Sequence, residues 1–252
     1  MIPARKESKG IINKNFLELG HKKVIEYTIE FALELLDVCD LVISTDNRNY
    51  LDSLSLMNLP GTPVDLSTVL NQKVMPRTIF LDYRVSELAQ DNTPIIQVLQ
   101  RILASFEIAH IDFHGILLLQ PTSPFRSRND LSFLRAFLSS EADKDSSLVS
   151  FKRVGDQHPA RMYKQLNSNT FVGANFFPGM EQVRRQELPS LFIRDGGFYF
   201  IGKNLISKGQ QFSNSPKGLI RDFPWSINLD TMTDLMVAQS VISDGNYFKE
   251  KE

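Results

Sequence analysis

Apolar residues recur at helical spacing in five segments of this chain. In residues 24–36 they fall three and four positions apart while glutamates occupy the other side, which predicts an amphipathic helix. The same pattern predicts helices near residues 48–57, 93–109, 130–138 and 233–242. Ser127 or Asn129 is the expected N-cap of the fourth helix, because either side chain can accept a hydrogen bond from a free backbone N–H group.

Short apolar runs alternate with these helices. Residues 115–119 form the strongest run, and its continuous hydrophobicity is typical of a strand buried on both faces of a parallel sheet. Further strands are predicted at residues 41–43, 78–81 and 226–230. The alternation predicts an α/β fold, a Rossmann-like parallel or mixed sheet with helices on both faces. Ligands of such folds bind beyond the carboxyl ends of the strands, where the loops starting at Ala4, Ser44 and Gln120 should open.

Two regions lack a clear period. Residues 58–76 contain several prolines and are assigned no element and no role. From about residue 152 the chain breaks into short polar pieces punctuated by proline. The first strand is also unusual, because only Met1 and Ile2 precede Pro3, whereas a buried strand usually has about 5 residues. A shortened strand or a misplaced start is therefore expected.

Composition narrows the classes of function. The 252 residues are enough for one large domain with a substantial core, and the formal charge of −1 predicts no general attraction to nucleic acid or to an anionic membrane. Any anion binding must be local. Cys39 is the only cysteine, so an internal disulfide and a cysteine-based zinc site are excluded and a reducing compartment is favoured. Without an apolar leader or a spanning segment, a cytoplasmic location is expected.

A cation-rich loop follows the first strand. Residues 3–15 place four cations around a serine and a glycine: Arg5, Lys6, Lys9, Lys14, Ser8 and Gly10. Glycine lets the backbone approach a ligand closely, and successive N–H groups with basic side chains suit a polyphosphate. The spacing does not match G-x-x-x-x-G-K-[ST]. A solvated basic segment is the alternative on charge alone.

The pattern P-A-R-x-x-S-K-G-x-x-x-K-N resembles the amino-terminal signature of the acylneuraminate cytidylyltransferases, the CMP–sialic acid synthetase family. The resemblance implies a nucleotide-diphospho-sugar transferase fold and a cytoplasmic homodimer in which an arm, about residues 152–200, covers the partner's active site. R-V-S-E-L-A-Q-D resembles a second family motif whose arginine reaches the nucleotide, with Val85 in place of proline. The implied nucleotide-binding residues are Ala4, Arg5, Ser8, Lys9, Gly10, Lys14, Asn15 and Arg84, of which Arg5, Lys9 and Lys14 would be catalytic.

Other family motifs imply contacts with a sugar acid. Q-P-T-S-P-F-R, H-P-A-R, R-Q-E-L-P and D-G-G-F-Y contribute the implied substrate-binding residues Gln120, Arg161, Arg185, Gln186 and Tyr199. Two prolines stiffen the loop that begins at Gln120. Where the family has an arginine, this chain has Ile193, and its arginine comes one place later as Arg194. Taken singly, a rigid turn or a surface ion pair explains each motif as well.

S-I-N-L-D-T resembles the family's S-I-D-I-D-T, whose two carboxylates lie on one face of an extended segment. Such a pair can hold Mg²⁺ or another divalent cation, and here it is represented by Asn228 and Asp230. The amide oxygen can still be a ligand, but one negative charge is lost. His110, Asp112 and His114 alternate along the chain, yet a turn is favoured over a metal site there.

The resemblance implies that CTP and a 2-keto-3-deoxy sugar acid of the sialic, legionaminic or pseudaminic type react to give a CMP-sugar and pyrophosphate. Neither the sugar acid nor the general base is specified by the sequence. One alternative is another sugar nucleotidyltransferase with the same fold. Another is a catalytically weakened homologue that binds nucleotide or sugar, as the loss of a carboxylate at Asn228 would allow. A dehydrogenase is disfavoured because no G-x-G-x-x-G follows the first strand.

Overall fold

The structure is a computed structural model that describes residues 1–7, 10–57, 59–69 and 78–245. Its strands are β1 (Ile2–Pro3), β2 (Glu18–Leu19), β3 (Lys22–Lys23), β4 (Leu41–Thr45), β5 (Thr62–Asp65), β6 (Thr78–Tyr83), β7 (Gly115–Leu118), β8 (Ser147–Arg153), β9 (Tyr163–Asn167), β10 (Thr170–Gly173), β11 (Phe192–Gly202) and β12 (Lys217–Ile220). Its α-helices are α1 (Val24–Leu33), α2 (Arg48–Ser55), α3 (Ile95–Ile108), α4 (Arg128–Ser140), α5 (Lys203–Ser207) and α6 (Met232–Ser243).

Two four-stranded sheets meet at β1. The first is parallel throughout, in the order β1-β4-β6-β5. The second has the order β12-β8-β11-β7, with β11 antiparallel to both of its neighbours. The Met1 nitrogen donates to the Leu117 carbonyl at 2.7 Å, and the Leu119 N–H donates to the Met1 carbonyl at 2.9 Å. The short first strand therefore joins the two sheets edge to edge.

Helices cover both faces of this mixed sheet, as predicted. Successive side chains of a strand point to opposite faces, and in β4 both sets are buried. Ile43 belongs to the core cluster shared with α1, α2 and α4. Val42 belongs to the cluster shared with α3 and α5. Burial on both sides explains why the strands appear in the sequence as continuous apolar runs rather than as alternating ones.

The predicted strand at residues 226–230 is wrong. A turn occupies residues 223–226, and the chain from 227 to 229 is irregular. Ile227 and Leu229 nevertheless pack into a third core cluster around Leu19 and Phe125. Their alternation thus reflects burial against a loop and helix α6, not membership of a sheet. The Leu229 N–H donates to the Thr122 carbonyl at 2.7 Å, which ties this segment to the loop after β7.

Other boundaries shift by a few residues. Helix α1 ends at Leu33, before the predicted end at Leu36. Helix α4 is capped by Ser127 in a capping box with Asp130, which confirms one of the two expected caps. Part of the connection without an assigned role forms β5, an edge strand that tolerates Pro63. Residues 58 and 70–76 of that connection lie outside the described residues.

The excursion outside the sheet runs from residue 154 to residue 191. It begins where β8 ends, carries the exposed hairpin β9–β10, and returns at β11, so residues 192–202 lie in the sheet. His158 is buried at its base, where its Nδ1 accepts from the Ala160 N–H at 3.1 Å and its Nε2 donates to the Pro189 carbonyl at 3.1 Å. Among the described residues, no helix has the length and apolar character needed to cross a bilayer.

Candidate active site

A cavity of about 240 Å³ lies at the carboxyl ends of β1 and β6. Its walls include Arg5, Lys14, Asn15, Arg84, Asp91 and Gln120. The loops after β1 and β7 therefore meet as the sequence predicts, and Arg84 comes from the end of β6. This is the edge where open α/β sheets bind their ligands.

At this cavity, Lys14 of the basic loop contacts a residue from near the other end of the sequence. Its Nζ lies 3.0 Å from Oδ1 of Asp230, a residue 216 positions away. The basic loop also passes very close to the segment that carries Asp230: a Cβ on Gly10 would stand 2.5 Å from the Asp230 carbonyl oxygen. Only glycine permits this approach. Lys14 therefore links the basic loop to the predicted metal ligand Asp230.

Arg5 forms an ion pair with Asp91 across the cavity, with about 30% of each side chain exposed. The buried side-chain amide of Asn15 donates to the Arg5 carbonyl at 2.9 Å. Ala4 is also buried, and its N–H donates to the Ser44 carbonyl at 2.8 Å. These contacts fix the first turn of the loop. The predicted site residues Ser8 and Lys9 lie outside the described residues.

Arg84 is a buried cation of this cavity. It donates through Nε to the Ser44 hydroxyl at 3.2 Å and through Nη2 to the Ser44 carbonyl at 2.9 Å. Burial lowers the pKa of Arg84 to about 10, while Asp82 nearby acts to raise it. An anion entering the cavity would offset the cost of keeping this guanidinium charged and buried.

A second cavity, of about 340 Å³, adjoins the first. Gln120 and Ile95 line both cavities, while Arg194, Tyr199 and Phe212 line only the second. The Arg194 guanidinium lies 4.9 Å from the centre of the Phe212 ring. Burial raises the pKa of Tyr199, so its hydroxyl remains a donor at neutral pH. The second cavity thus combines aromatic walls with one cation.

The loop that carries Gln120 is held from beneath. Arg126 is fully buried and donates to the Gln120 carbonyl at 3.0 Å and to the Gly197 carbonyl at 2.8 Å. A further bond from Arg126 reaches the Thr28 hydroxyl at 3.0 Å. The last residue of the Q-P-T-S-P-F-R motif is therefore a structural anchor, which explains an arginine at the end of a loop already stiffened by prolines.

Three predicted substrate-binding residues line neither of these two cavities. Arg161, Arg185 and Gln186 are exposed on the excursion between β8 and β11. Arg185 pairs there with Asp156 at 3.0 Å. The structure brings Gln120 and Tyr199 together but leaves these three at a distance.

No sequence pattern predicts the buried charge network that lies next to the site. Arg221 contacts Asp130 at 3.1 Å and Asp195 at 2.7 Å, and all three side chains are almost completely buried. Asp195 also accepts from the Gly197 N–H at 3.0 Å, and its neighbour Gly196 has a φ of 85°. A Cβ on Gly196 would lie within 3.4 Å of polar atoms of Ser123, Asn228 and Gln120. The network therefore holds an irregular part of β11, where the register with β8 shifts, against the site.

The two predicted metal ligands are bound to each other. The Asn228 amide donates to Oδ2 of Asp230 at 2.6 Å, and its own Oδ1 accepts from the Ser123 hydroxyl at 3.2 Å. Within the described ranges, no group of three or more His, Cys, Asp or Glu side chains could hold a metal ion. Asp112, between the two histidines considered above, pairs instead with Lys144 at 3.2 Å.

The architecture is that of the nucleotide-diphospho-sugar transferases. The chain is similar to a CMP:2-keto-3-deoxy-manno-octonic acid synthetase complexed with CTP, with 13% identity, a TM-score of 0.57 and 97% of each chain covered. It is also similar to HddC from Yersinia pseudotuberculosis, with 15% identity, a TM-score of 0.50 and 96% and 97% of the chains covered. At these identities the likeness establishes the fold.

Proteins found by sequence comparison are more similar in sequence to this chain than the two solved structures are. Residues 1–57 match the family model described as cytidylyltransferase. An N-acylneuraminate cytidylyltransferase of Streptococcus agalactiae serotype V is 28% identical over 94% of this chain and 51% of its own length. A CMP-N,N'-diacetyllegionaminic acid synthase of Legionella pneumophila is 25% identical over 96% of this chain and 94% of its own length.

These matches confirm the resemblance to the acylneuraminate cytidylyltransferases across most of the chain. The chain spans about half the length of the streptococcal relatives it matches.

Proposed function

We propose that this chain transfers CMP from CTP to a 2-keto-3-deoxy sugar acid of the sialic, legionaminic or pseudaminic type and releases pyrophosphate. One observation carries the proposal: a cation-lined cavity at the carboxyl edge of the sheet adjoins a second cavity with a cation and aromatic walls, and Gln120 stands between them. Two ligands of different chemistry can thus lie side by side.

The first cavity suits the nucleotide. Arg5, Lys14 and Arg84 would bind the triphosphate. Ser8 and Lys9 are assigned to the same task by resemblance. Nucleotidyl transfer depends mainly on positioning and on neutralising charge, which is what fixed cations supply.

The second cavity suits the sugar acid. Arg194 is the cation placed to bind its carboxylate, while Gln120 and Tyr199 would bind hydroxyl groups. The anomeric oxygen then attacks the α-phosphorus of CTP, the bond from that phosphorus to the bridging oxygen breaks, and pyrophosphate leaves with the electron pair. The proton of the anomeric hydroxyl passes to solvent.

Mg²⁺ or another divalent cation is the proposed cofactor. Asp230, with Asn228 beside it, offers hard oxygen donors at the cavity edge, and phosphate oxygens would complete the ligand set. Only one of the two residues is charged, so they suit a cation that is held jointly with the nucleotide. When bound, such an ion offsets charge on the triphosphate.

A homodimer is also proposed, because the hairpin excursion exposes many apolar side chains. These are Met162, Tyr163, Leu166, Phe171, Val172 and Phe176. A concentration of exposed apolar side chains in one segment favours an interaction site. Reaching over a second copy of this chain, the excursion would bring Arg161, Arg185 and Gln186 to the partner's sugar cavity, which accounts for their distance from the cavities of their own chain.

Pyrophosphate release over a matrix of nucleotides and 2-keto acids tests the function. We expect release with CTP plus one of the three sugar acids, and none with either substrate alone. Release with a sugar phosphate or with another nucleotide would instead assign a different nucleotidyltransferase activity. CTP binding without release under every condition would favour the binding homologue that Asn228 suggests, and would overturn the proposed reaction.

A further inference from the structure

The carboxylate of Asp230 is occupied on both oxygens by side chains of its own chain. Lys14 Nζ lies 3.0 Å from Oδ1, and Asn228 Nδ2 lies 2.6 Å from Oδ2. Asp230 is nevertheless open to solvent, with 63% of its side chain exposed. These contacts therefore form at the surface, where burial does not force the carboxylate to find partners.

The orientation of the Asn228 amide is set by its two neighbours. Its Oδ1 accepts from the Ser123 hydroxyl, which belongs to the stiff loop after β7. Its Nδ2 faces Asp230, because an ionised carboxylate can only accept hydrogen bonds. A cation approaching Asp230 thus meets an N–H group and an ammonium group, both of which repel it.

We propose that Asn228 makes divalent-cation binding by this chain conditional on the nucleotide. Without nucleotide, Lys14 and Asn228 satisfy Asp230, and the trio carries no net charge to attract a cation. A bound triphosphate offers Lys14 a new anionic partner and contributes oxygens of its own. Cation binding and nucleotide binding must then strengthen each other by the same factor, as linkage requires. This inference rests on the proposed function.

Mn²⁺ binding to the nucleotide-free full chain, followed by the electron paramagnetic resonance signal of free Mn²⁺, tests the first half. We expect weak binding by the wild type and at least tenfold tighter binding by Asn228→Asp, since that change replaces a donor by a second carboxylate beside the first. Equal affinities of the two proteins would overturn the inference.

Two more variants separate charge from hydrogen bonding. Asn228→Ala removes the donor without adding charge, so its gain in Mn²⁺ affinity should be smaller than that of Asn228→Asp. Lys14→Met removes the other partner of Asp230 and should also tighten nucleotide-free binding. If both variants bind Mn²⁺ as weakly as the wild type, these residues do not control the site.

CTP affinity, measured by calorimetry with and without Mn²⁺, tests the second half. We expect Mn²⁺ to tighten CTP binding at least tenfold in the wild type and by a smaller factor in Asn228→Asp, where the cation already has a site. An equal effect in both proteins would overturn the coupling. Failure of CTP to bind at all would instead refute the proposed function, and the nucleotide-free Mn²⁺ comparison would still stand on its own.

Discussion

At the scale of single residues, two of the cations proposed to bind the triphosphate are paired with carboxylates. Arg5 contacts Asp91 and Lys14 contacts Asp230. Both pairs are partly exposed, so each adds little to stability and can exchange partners at low cost. In the proposed site, a bound triphosphate would therefore replace Asp91 and Asp230 as the partners of these cations.

Arg5→Ala is expected to lower kcat/KM for CTP by about 10²-fold or more, as the loss of one donor to the transition state does in other enzymes. Initial rates of pyrophosphate release measure this. Arg135→Ala is the control. Arg135 belongs to helix α4, pairs with Asp37 and lines neither of the two cavities. Wild-type turnover in the Arg5 variant would remove the loop from the mechanism.

Arg194→Ala should raise KM for the sugar acid by about 10-fold or more while CTP affinity stays unchanged, because Arg194 lines only the second cavity. Steady-state kinetics with each substrate varied in turn separates the two effects. Arg194→Lys should recover part of the loss, since the ammonium keeps the charge but not the two-pronged geometry. Equal loss of affinity for both substrates would contradict the assignment.

At the scale of elements, one buried network joins three parts of the fold that are far apart in sequence. Arg221 follows β12, Asp130 lies in the first turn of α4, and Asp195 lies in β11. A Cβ on Gly197 would collide with the Arg221 guanidinium, so the glycine is required for the two to pack. The network fixes the register shift of β11 around Gly196, which lies close to Gln120 and Asn228.

Arg221→Met should destabilise the fold by about 3–5 kcal/mol, because it leaves two buried carboxylates without their cation. Lys217→Met is the matched control, since Lys217 pairs with Glu141 on the surface and its loss should cost at most about 1 kcal/mol. Urea unfolding at neutral pH compares the two free energies of unfolding. A similar loss of unfolding free energy in both variants would show that the buried network stabilises the fold no more than a surface ion pair does.

At the scale of the whole molecule, the sheet supplies both cavities, and the excursion between β8 and β11 supplies exposed apolar surface. The two cavities lie side by side at the sheet edge of one chain. The excursion buries few of its own apolar groups, which is costly unless another surface covers them. The proposed dimer gives it that surface.

Light scattering after size exclusion should show a dimer, and the double change Leu166→Asp plus Phe171→Asp should shift it to a monomer, because both side chains are exposed on the hairpin. The monomer should keep its CTP affinity and lose sugar-acid turnover. A control change in an apolar side chain on another surface, Leu56→Asp just after α2, should leave the mass unchanged. A monomeric wild type would refute the dimer.

Much of the fold is predictable because its signals are local. Helices α1, α3 and α4 follow from apolar spacing, and β4, β6 and β7 from short runs that are buried on two faces. The segment from 226 to 230 shows the limit of such reasoning. Its alternation is real, but whether alternating side chains face a sheet partner or a loop is decided by residues elsewhere in the chain.

The class of fold and the basic loop can be predicted from the sequence, because residue type and short spacing carry that information. The folded chain was needed to show that Lys14 rather than Arg5 contacts Asp230, that Arg194 faces a cavity, and that Arg221 contacts two buried aspartates. Those contacts join residues tens to hundreds of positions apart. No local pattern encodes them, since they exist only once the strands have set the register and brought the loops to one edge of the sheet.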